Sequence, residues 1–138
     1  MRLTAFSDYT LRTLICLAVR GPATIAEIAG LYGISEAHLT KVVHRLGVAG
    51  DIETARGRNG GIRLAKPPAS INVGAVVRRT ENMALVPCFE NGPCLISPAC
   101  VLQEMLREAL AAFLAVLDRH TLADLTASPA LAGLLEEA

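Results

Sequence analysis

Apolar residues recur at helical spacing through residues 11–46 and predict three helices in the first third of the chain. The first helix begins at Ser7, a plausible N-cap, and ends at the Gly–Pro pair at 21–22. The second begins at Thr24, which stands at capping-box spacing from Glu27. These signals predict two helices joined by a short connection.

A third helix follows a tight turn at Gly33. Ser35 is positioned to cap it. Short helices joined by a glycine-containing turn are typical of a helix-turn-helix, in which the later helix reads DNA. Its inward face carries Leu39, Val42, Val43 and Leu46, and its other faces carry His38, Lys41, His44 and Arg45.

The segment after the third helix predicts a β-hairpin. Residues 52–55 and 62–64 have strand character, and "RGRNGG" between them supplies a turn in which glycine and asparagine tolerate positive φ. Taken alone, this turn is consistent with a solvated loop. Behind a helix-turn-helix it predicts a wing, because guanidinium groups and thin glycines can enter a DNA groove.

A Pro–Pro pair at 67–68 marks a boundary between a DNA-binding domain at 1–70 and a second region at 71–138. The second region opens with a short helix capped by Asn72. Prolines at 87, 93 and 98 and a glycine at 92 interrupt the next segment, which is therefore predicted to be a loop. Ser97 followed by Pro98 predicts the start of a long helix.

The long helix is predicted over residues 98–120, and its apolar residues are spread too widely for one buried stripe. In a small protein this favours two buried faces, one against its own chain and one against a second subunit. Thr121 and Asp124 predict a short helix after it, and residues 129–138 are expected to pack loosely. The predicted fold is mostly α: a winged helix-turn-helix, a cysteine-bearing loop and a long dimerisation helix.

Composition and charge add a partner and a compartment. The 138 residues are 52% hydrophobic, but no apolar run approaches the ~18 residues that span a bilayer. The polar N-terminus does not match a signal peptide, so a cytoplasmic protein without membrane contact is expected. Residues 1–70 carry nine Lys/Arg against five Asp/Glu, whereas residues 71–138 carry four against eight. The basic first half is therefore a candidate surface for nucleic-acid phosphates.

Three of the four cysteines, Cys88, Cys94 and Cys100, follow one another with five residues in each gap. Structural zinc sites favour gaps of about two to four residues and a full set of four ligands, so zinc fits poorly. An iron–sulfur cluster wrapped by the loop and a thiol redox switch both remain possible. A cluster would need a further ligand from elsewhere in the protein.

Two residues of the first helix are relevant to that further ligand. Cys16 lies between Ile15 and Leu17, which favours a buried structural thiol. Asp8 is an acid in the first turn, where it complements the helix N-terminus. Arg12 follows it at the spacing of a helical ion pair.

Several stretches together resemble a family of bacterial nitric-oxide-sensing, nitrite-sensitive repressors, within a superfamily of iron–sulfur winged-helix regulators. They are "MRLTAFSDYTLRTLICLA", "GISEAHLTKVV", "RGRNGGIRLAKP", the C-x5-C-x5-C loop, "ISPAC" and "FLAVLDRHTLADL". The resemblance covers nearly the whole chain. It implies a homodimer with crossed long helices, a double-stranded DNA operator as partner and a cluster bound near the dimer interface.

The resemblance also implies a set of ligands. The cluster is expected to be [4Fe-4S], in preference to [2Fe-2S], and to be held by Cys88, Cys94, Cys100 and Asp8 of the partner subunit. Arg12 matches a residue beside that aspartate. The related regulators of cluster biogenesis have a histidine three residues after the last cysteine, where this chain has Gln103.

The expected function is that of a transcriptional repressor, not an enzyme, which releases DNA when nitric oxide nitrosylates the cluster. The alternatives are a redox-sensing or iron–sulfur-status-sensing regulator with a [2Fe-2S] cluster, and a cluster-free thiol/disulfide sensor. The residues expected to contact DNA are Ser35, His38, Thr40 and Lys41 in the third helix and Arg56, Arg58 and Asn59 in the wing.

Overall fold

Helices dominate the computed structural model of the protein, which describes residues 1–58 and 60–137. A small hairpin follows the first three helices, and three short 3₁₀ helices occupy the connections. The α-helices of the described chain are α1 Ala5–Arg20, α2 Ile25–Tyr32, α3 Glu36–Ala49, α4 Val73–Thr80, α5 Val101–Asp118, α6 Leu122–Leu125 and α7 Pro129–Glu136. The strands are β1 Ile52–Ala55 and β2 Gly61–Leu64, and the 3₁₀ helices are Pro68–Ser70, Pro87–Glu90 and Ser97–Ala99.

The first helix begins earlier than its sequence signal indicates. Thr4, not Ser7, is the N-cap: its backbone is extended and its hydroxyl accepts a hydrogen bond from the Ser7 N–H. Ser7 lies inside the first turn, fully buried, where its hydroxyl donates to Thr80 Oγ1 at 2.7 Å. The prediction that Ser7 caps the helix was therefore wrong, because a long-range contact with α4 uses its hydroxyl.

The other predicted signals of the helix-turn-helix are confirmed. Thr24 and Glu27 form a reciprocal capping box at the start of α2. Gly33 ends α2 in the left-handed conformation, with φ of 66°, and Ser35 caps α3 by accepting from the His38 N–H. The predicted apolar face of α3 is directed inward, with Leu39 and Val42 fully buried.

The predicted hairpin is also present. Strands β1 and β2 pair antiparallel, with Ile52 opposite Leu64 and Ala55 opposite Gly61. Ala23 joins their edge by two backbone hydrogen bonds with Ile62. A side chain at position 61 would come within 2.5 Å of the Ala23 carbonyl oxygen, so glycine is needed for this close approach.

One apolar core unites elements from both halves of the sequence. Residues of α1, α2, α3 and the hairpin pack together with Ile71, Val76 and Leu122. Gly74 lets α4 approach the end of α5, because a Cβ there would overlap the Asp118 side chain. The fully buried large side chains are Leu14, Ile28, Leu39, Leu122, Val42, Val76 and Val77.

The long helix α5 starts later than predicted. Ser97 does not cap it, because Ser97–Ala99 forms a separate 3₁₀ turn and Cys100 has an extended backbone that breaks the chain direction. Cys100 is the N-cap, and the helix is 18 residues long. No helix of the described residues is long and apolar enough to cross a membrane.

The C-terminal segment is more ordered than predicted. Thr121 and Asp124 form the expected capping box of α6. Residues 129–136, expected to pack loosely, instead form α7, which contacts α1 and buries Leu135. The apolar face of this short helix was hard to predict because several of its residues are small.

Candidate functional site

The three evenly spaced cysteines line one cavity. Its volume is about 240 Å³, and Cys88 and Cys100 are half-buried while Cys94 is exposed. Each cysteine comes from a different local structure: a 3₁₀ helix, an irregular loop and the N-cap of α5. The other lining residues are Val86, Pro87, Pro93, Ile96, Leu102, Gln103 and Leu106.

Local hydrogen bonds and one aromatic contact shape the cysteine loop, residues 82–100. Asn91 takes up the left-handed conformation with φ of 62°, which is tolerable for asparagine, and reverses the chain between the first two cysteines. The Asn82 side chain accepts from the Ala84 N–H and donates to Glu90. The Arg107 guanidinium of α5 lies 4.2 Å from the centre of the Phe89 ring, which attaches the loop to the long helix.

Gln103 connects the first and last of these cysteines. Its backbone N–H donates to Cys100 Sγ at 3.4 Å, and its side-chain amide donates to the Cys88 carbonyl at 3.5 Å. Gln103 thus connects the loop to α5 by two hydrogen bonds.

The soft ligands of this region are the three thiols that line the cavity. No three His, Cys, Asp or Glu side chains of residues 1–58 and 60–137 stand close enough to share a single ion. The cysteines instead stand around the cavity, and thiolates are the preferred ligands of iron–sulfur clusters. Apolar side chains form most of the remaining wall.

Asp8 and Arg12 occupy the outer side of α1. Arg12 Nε lies 3.0 Å from Asp8 Oδ1, and both side chains are nearly half exposed. The predicted ion pair is therefore present. Asp8 does not line the cysteine cavity of its own chain.

The start of α1 is nevertheless joined to the beginning of the cysteine loop. The Thr4 N–H and hydroxyl both donate to Glu81, the last residue before that loop. Burial alone would raise the pKa of Glu81, but the polar groups of Ser7 and Thr4 beside its carboxylate lower it below its usual value. Glu81, which precedes the cysteine loop, is therefore joined to the N-terminus of α1.

Cys16 is a structural thiol, as predicted from its apolar neighbours. It is fully buried in the apolar core that α1, α2, α3 and the hairpin share. Burial raises the pKa of the Cys16 thiol, against a smaller opposing effect of the Arg20 charge. A buried thiol held in its neutral form is a poor metal ligand.

The residues predicted to read DNA on α3 divide into two groups. Thr40 and Lys41 are exposed, although the Thr40 hydroxyl also donates to the Glu36 carbonyl. Ser35 uses its hydroxyl for the helix cap, and the His38 ring packs edge-on against Tyr9 with centroids 4.9 Å apart. His38 is thus a contact between α3 and α1 as well as a candidate DNA contact.

Two further residues of α3 were not among the predicted DNA contacts. His44 and Arg45 are exposed and line a shallow cavity with Thr40 and Lys41. Helical spacing was the available signal, because His44 follows Thr40 and Arg45 follows Lys41 by four residues. This surface extends the candidate phosphate-binding face along the helix.

The wing presents its arginines at the tip. Arg56 and Arg58 lie beyond the paired strands and are exposed. Asn59, the third residue predicted for the wing, lies outside the described residues. Lower on the hairpin, Arg63 pairs with Glu53 of the neighbouring strand at 2.8 Å.

The long helix α5 has two apolar faces. One contains Leu106, Leu110, Phe113 and Leu117, all half-buried, with the buried Leu114 beside them. The other is exposed over its whole length and contains Val101, Leu102, Met105 and Val116, which are 65%, 58%, 60% and 46% exposed. Leu95 and Ile96 of the cysteine loop add to this exposed apolar surface.

The sequence matches a family of known regulators. Residues 3–128 match Rrf2, described as an iron-dependent transcriptional regulator. The HTH-type transcriptional regulator NsrR of Bacillus subtilis is 52% identical over 131 residues, covering 91% of this chain and 90% of that one. The protein of the same name from Shouchella clausii is 51% identical over 131 residues, covering 91% and 88%.

Solved structures of related regulators have the same fold. IscR of T. potens superimposes with a TM-score of 0.74 at 26% identity, covering 91% of this chain and 85% of that one. CymR, the global cysteine regulator of B. subtilis, gives a TM-score of 0.74 at 28% identity, covering 92% and 97%. The predicted mostly helical, winged-helix fold is confirmed by these matches.

Proposed function

Because the chain belongs to the Rrf2 family of iron-dependent transcriptional regulators, together with the NsrR regulators that share half of its residues, we propose that it is a repressor controlled by nitric oxide through an iron–sulfur cluster. The observation that carries the proposal is the cavity lined by Cys88, Cys94 and Cys100. That cavity is formed by the cysteine loop and the start of α5, and the loop follows α4, which packs on α1 and α5.

The cysteine loop provides three soft ligands, and Asp8 of the partner subunit is the proposed fourth. When bound, a [4Fe-4S] cluster supplies iron that nitric oxide can nitrosylate, most readily at the iron with an oxygen ligand. Gln103 holds Cys88 and Cys100 in place by its two hydrogen bonds. Arg12 orients the Asp8 carboxylate through the ion pair at 3.0 Å.

A homodimer is needed for this ligand set, because Asp8 does not line the cysteine cavity of its own chain. The exposed apolar face of α5 supports one, since a contiguous apolar stripe on a soluble protein marks an interaction surface. A two-fold symmetric dimer in which the two stripes pack together would also present two recognition helices to successive major grooves, as helix-turn-helix dimers require.

The connection from ligand to DNA runs through α1. Asp8 is followed directly by Tyr9, whose ring packs against His38 of the recognition helix. The same turn is joined to Glu81 at the start of the cysteine loop. Loss of the Asp8 ligand would free this turn to shift, and the shift would act on α3 through Tyr9. Small changes in the spacing of the two recognition helices are sufficient to weaken binding.

The test is anaerobic purification followed by titration with nitric oxide. The wild-type protein should show iron–sulfur absorbance, bind a duplex that it selects from a random pool, and release that duplex as nitric oxide is added. Cys94→Ala should abolish the absorbance, whereas Cys16→Ala, the matched cysteine control in the core, should retain it. A colourless protein that responds to thiol oxidants instead would establish the thiol-sensor alternative.

A further inference from the structure

Asp51 is a buried carboxylate at the base of the wing. Its side chain is 3% exposed and is held by two cations, Lys66 Nζ at 3.1 Å and Arg79 at 2.5 Å. In every other ion pair among the described residues, both side chains are more than one third exposed. A carboxylate this buried requires its partners, because an unpaired charge in the interior is strongly unfavourable.

The backbone of Asp51 joins the same region together. Its N–H donates to the Leu46 carbonyl at the end of α3, at 3.1 Å. Its carbonyl accepts from the Ala65 N–H just beyond β2, at 2.9 Å. Asp51 therefore contacts the recognition helix, both ends of the hairpin and, through Arg79, helix α4.

Two adjacent arginines attach α4 to different parts of the molecule. Arg79 pairs with Asp51 at the wing, whereas Arg78 pairs with Asp118 of α5, with 2.8 Å between Nη2 and Oδ2. Thr80 accepts the hydrogen bond from Ser7 of α1. Helix α4 thus touches the wing, the long helix and the first helix within three consecutive residues, and it leads straight into the cysteine loop.

We propose that Arg79 is a positioning residue that fixes the wing against α4 through Asp51. Without Arg79, the hairpin keeps its own β1–β2 pairing but loses its ionic attachment to the second half of the chain. The effect on signalling rests on the proposed function above, since it assumes that the cysteine loop controls DNA binding. The attachment itself does not depend on that assumption.

Arg79→Gln is the informative variant because Lys66 still neutralises Asp51, so the fold tolerates the loss. Arg78→Gln is the matched control: it is adjacent on α4, removes the same charge and breaks an ion pair that does not involve the wing. Hydrogen exchange of the full-length protein without DNA measures the attachment directly. In Arg79→Gln, amides at 52–55 and 61–65 should exchange about tenfold faster, with those of α2 and α3 unchanged.

The proposal would be overturned if the amide exchange rates of the wing were unchanged in Arg79→Gln. It would also be overturned if Arg78→Gln raised these rates equally, or if Arg79→Gln raised the exchange rates of the whole chain. If Arg79→Gln does not fold, Arg79→Lys replaces it, because a cation at this position preserves the charge but not the guanidinium geometry. Amide exchange in the wing that is faster than in wild type is then expected. Protection of the wing amides in Arg79→Lys equal to that in wild type would contradict the proposal.

A second measurement separates this proposal from the proposed function. The affinity for the selected duplex is compared before and after nitric oxide, in wild type and in Arg79→Gln with equal cluster absorbance. The ratio of the two affinities should fall several-fold in Arg79→Gln and stay unchanged in Arg78→Gln. A protein with no cluster or no response to nitric oxide refutes the function, while the exchange data still decide the role of Arg79.

Discussion

Single residues in this protein carry more than one interaction, and Asp8 is the clearest case. It complements the N-terminus of α1, pairs with Arg12 through Oδ1, and remains 44% exposed. A carboxylate has several acceptor positions, so the ion pair leaves room for a metal contact. An exposed acid held in a fixed direction by arginine is well suited to act as a ligand across a subunit interface.

Replacement of Asp8 by alanine tests that role. The three cysteines should still assemble a cluster in Asp8→Ala, but the cluster should be more labile, with a changed circular dichroism spectrum and altered nitric-oxide titration. Cys88→Ala, Cys94→Ala or Cys100→Ala should lose it, because each removes a strong soft ligand. If Asp8 only complements the helix, its loss costs ~0.3–1 kcal/mol of stability and the two spectra are identical.

Arg58 is the residue that tests the wing. Its exposed guanidinium at the hairpin tip should lie near DNA phosphates, so Arg58→Ala should weaken binding and reduce the salt slope by about one unit. Arg119→Ala, which removes an exposed arginine at the end of α5, serves as the control. If Arg58→Ala keeps both the wild-type affinity and the wild-type slope of affinity against salt concentration, this arginine does not contact DNA.

At the scale of elements, the attachment of α1 to the end of α4 lies directly before the cysteine loop in the chain. Thr4 caps α1 and also donates to Glu81, and Ser7 donates to Thr80 beside it. These hydrogen bonds therefore join the N-terminus of α1 to the C-terminus of α4. In the proposed mechanism, a change in the cysteine loop would reach the recognition helix through this junction and the packing of Tyr9 on His38.

The Glu81 junction predicts a dependence of stability on pH. Because the pKa of Glu81 is lowered in the folded protein, its contribution is fully present above the ordinary carboxyl pKa and is lost as pH falls through the folded value. In cluster-free protein, wild type should melt above Glu81→Gln at pH 6. The difference should shrink progressively below about pH 4.5, near the ordinary glutamate pKa. Thermal unfolding at several pH values measures it, and a constant difference would contradict the assignment.

At the scale of the whole molecule, the proposed assembly depends on α5. Leu114 is buried within its own chain and Leu110 is half-buried against it, so neither is a clean probe of a subunit contact. The exposed face with Val101, Met105 and Val116 is the better candidate. Dimerisation along it would place two basic N-terminal halves on a common DNA duplex.

Met105→Glu tests the assembly. A charge in the centre of an apolar interface is costly to bury, so this variant should be monomeric by sedimentation at concentrations where wild type is dimeric. It should also lose the features of the cluster that require Asp8 of the partner subunit. Ala111→Glu, another exposed position of α5 on a different face, should remain dimeric. Dimers of equal stability in both variants would show that the interface does not lie on this face.

Much of the DNA-binding unit was predictable from sequence because its signals are local. The capping box of Thr24 and Glu27, the turn at Gly33, the cap at Ser35 and the hairpin each depend on neighbours within a few residues. The burial of Cys16 followed in the same way from its apolar surroundings in the helix. The even spacing of the three cysteines likewise indicated one site, and they do line one cavity.

What only the tertiary structure decided depends on partners far away in sequence. Thr4 replaces Ser7 as a cap because Thr80, 73 residues later, bonds the Ser7 hydroxyl. Cys100 begins α5 because Ser97–Ala99 close a separate 3₁₀ turn, and Cys100 itself lines the cysteine cavity. The choice between the two apolar faces of α5, and the burial of Asp51 between Lys66 and Arg79, follow from packing of whole elements. Local patterns carry no information on which distant surfaces meet, and those meetings join the cysteine loop to the DNA-binding elements.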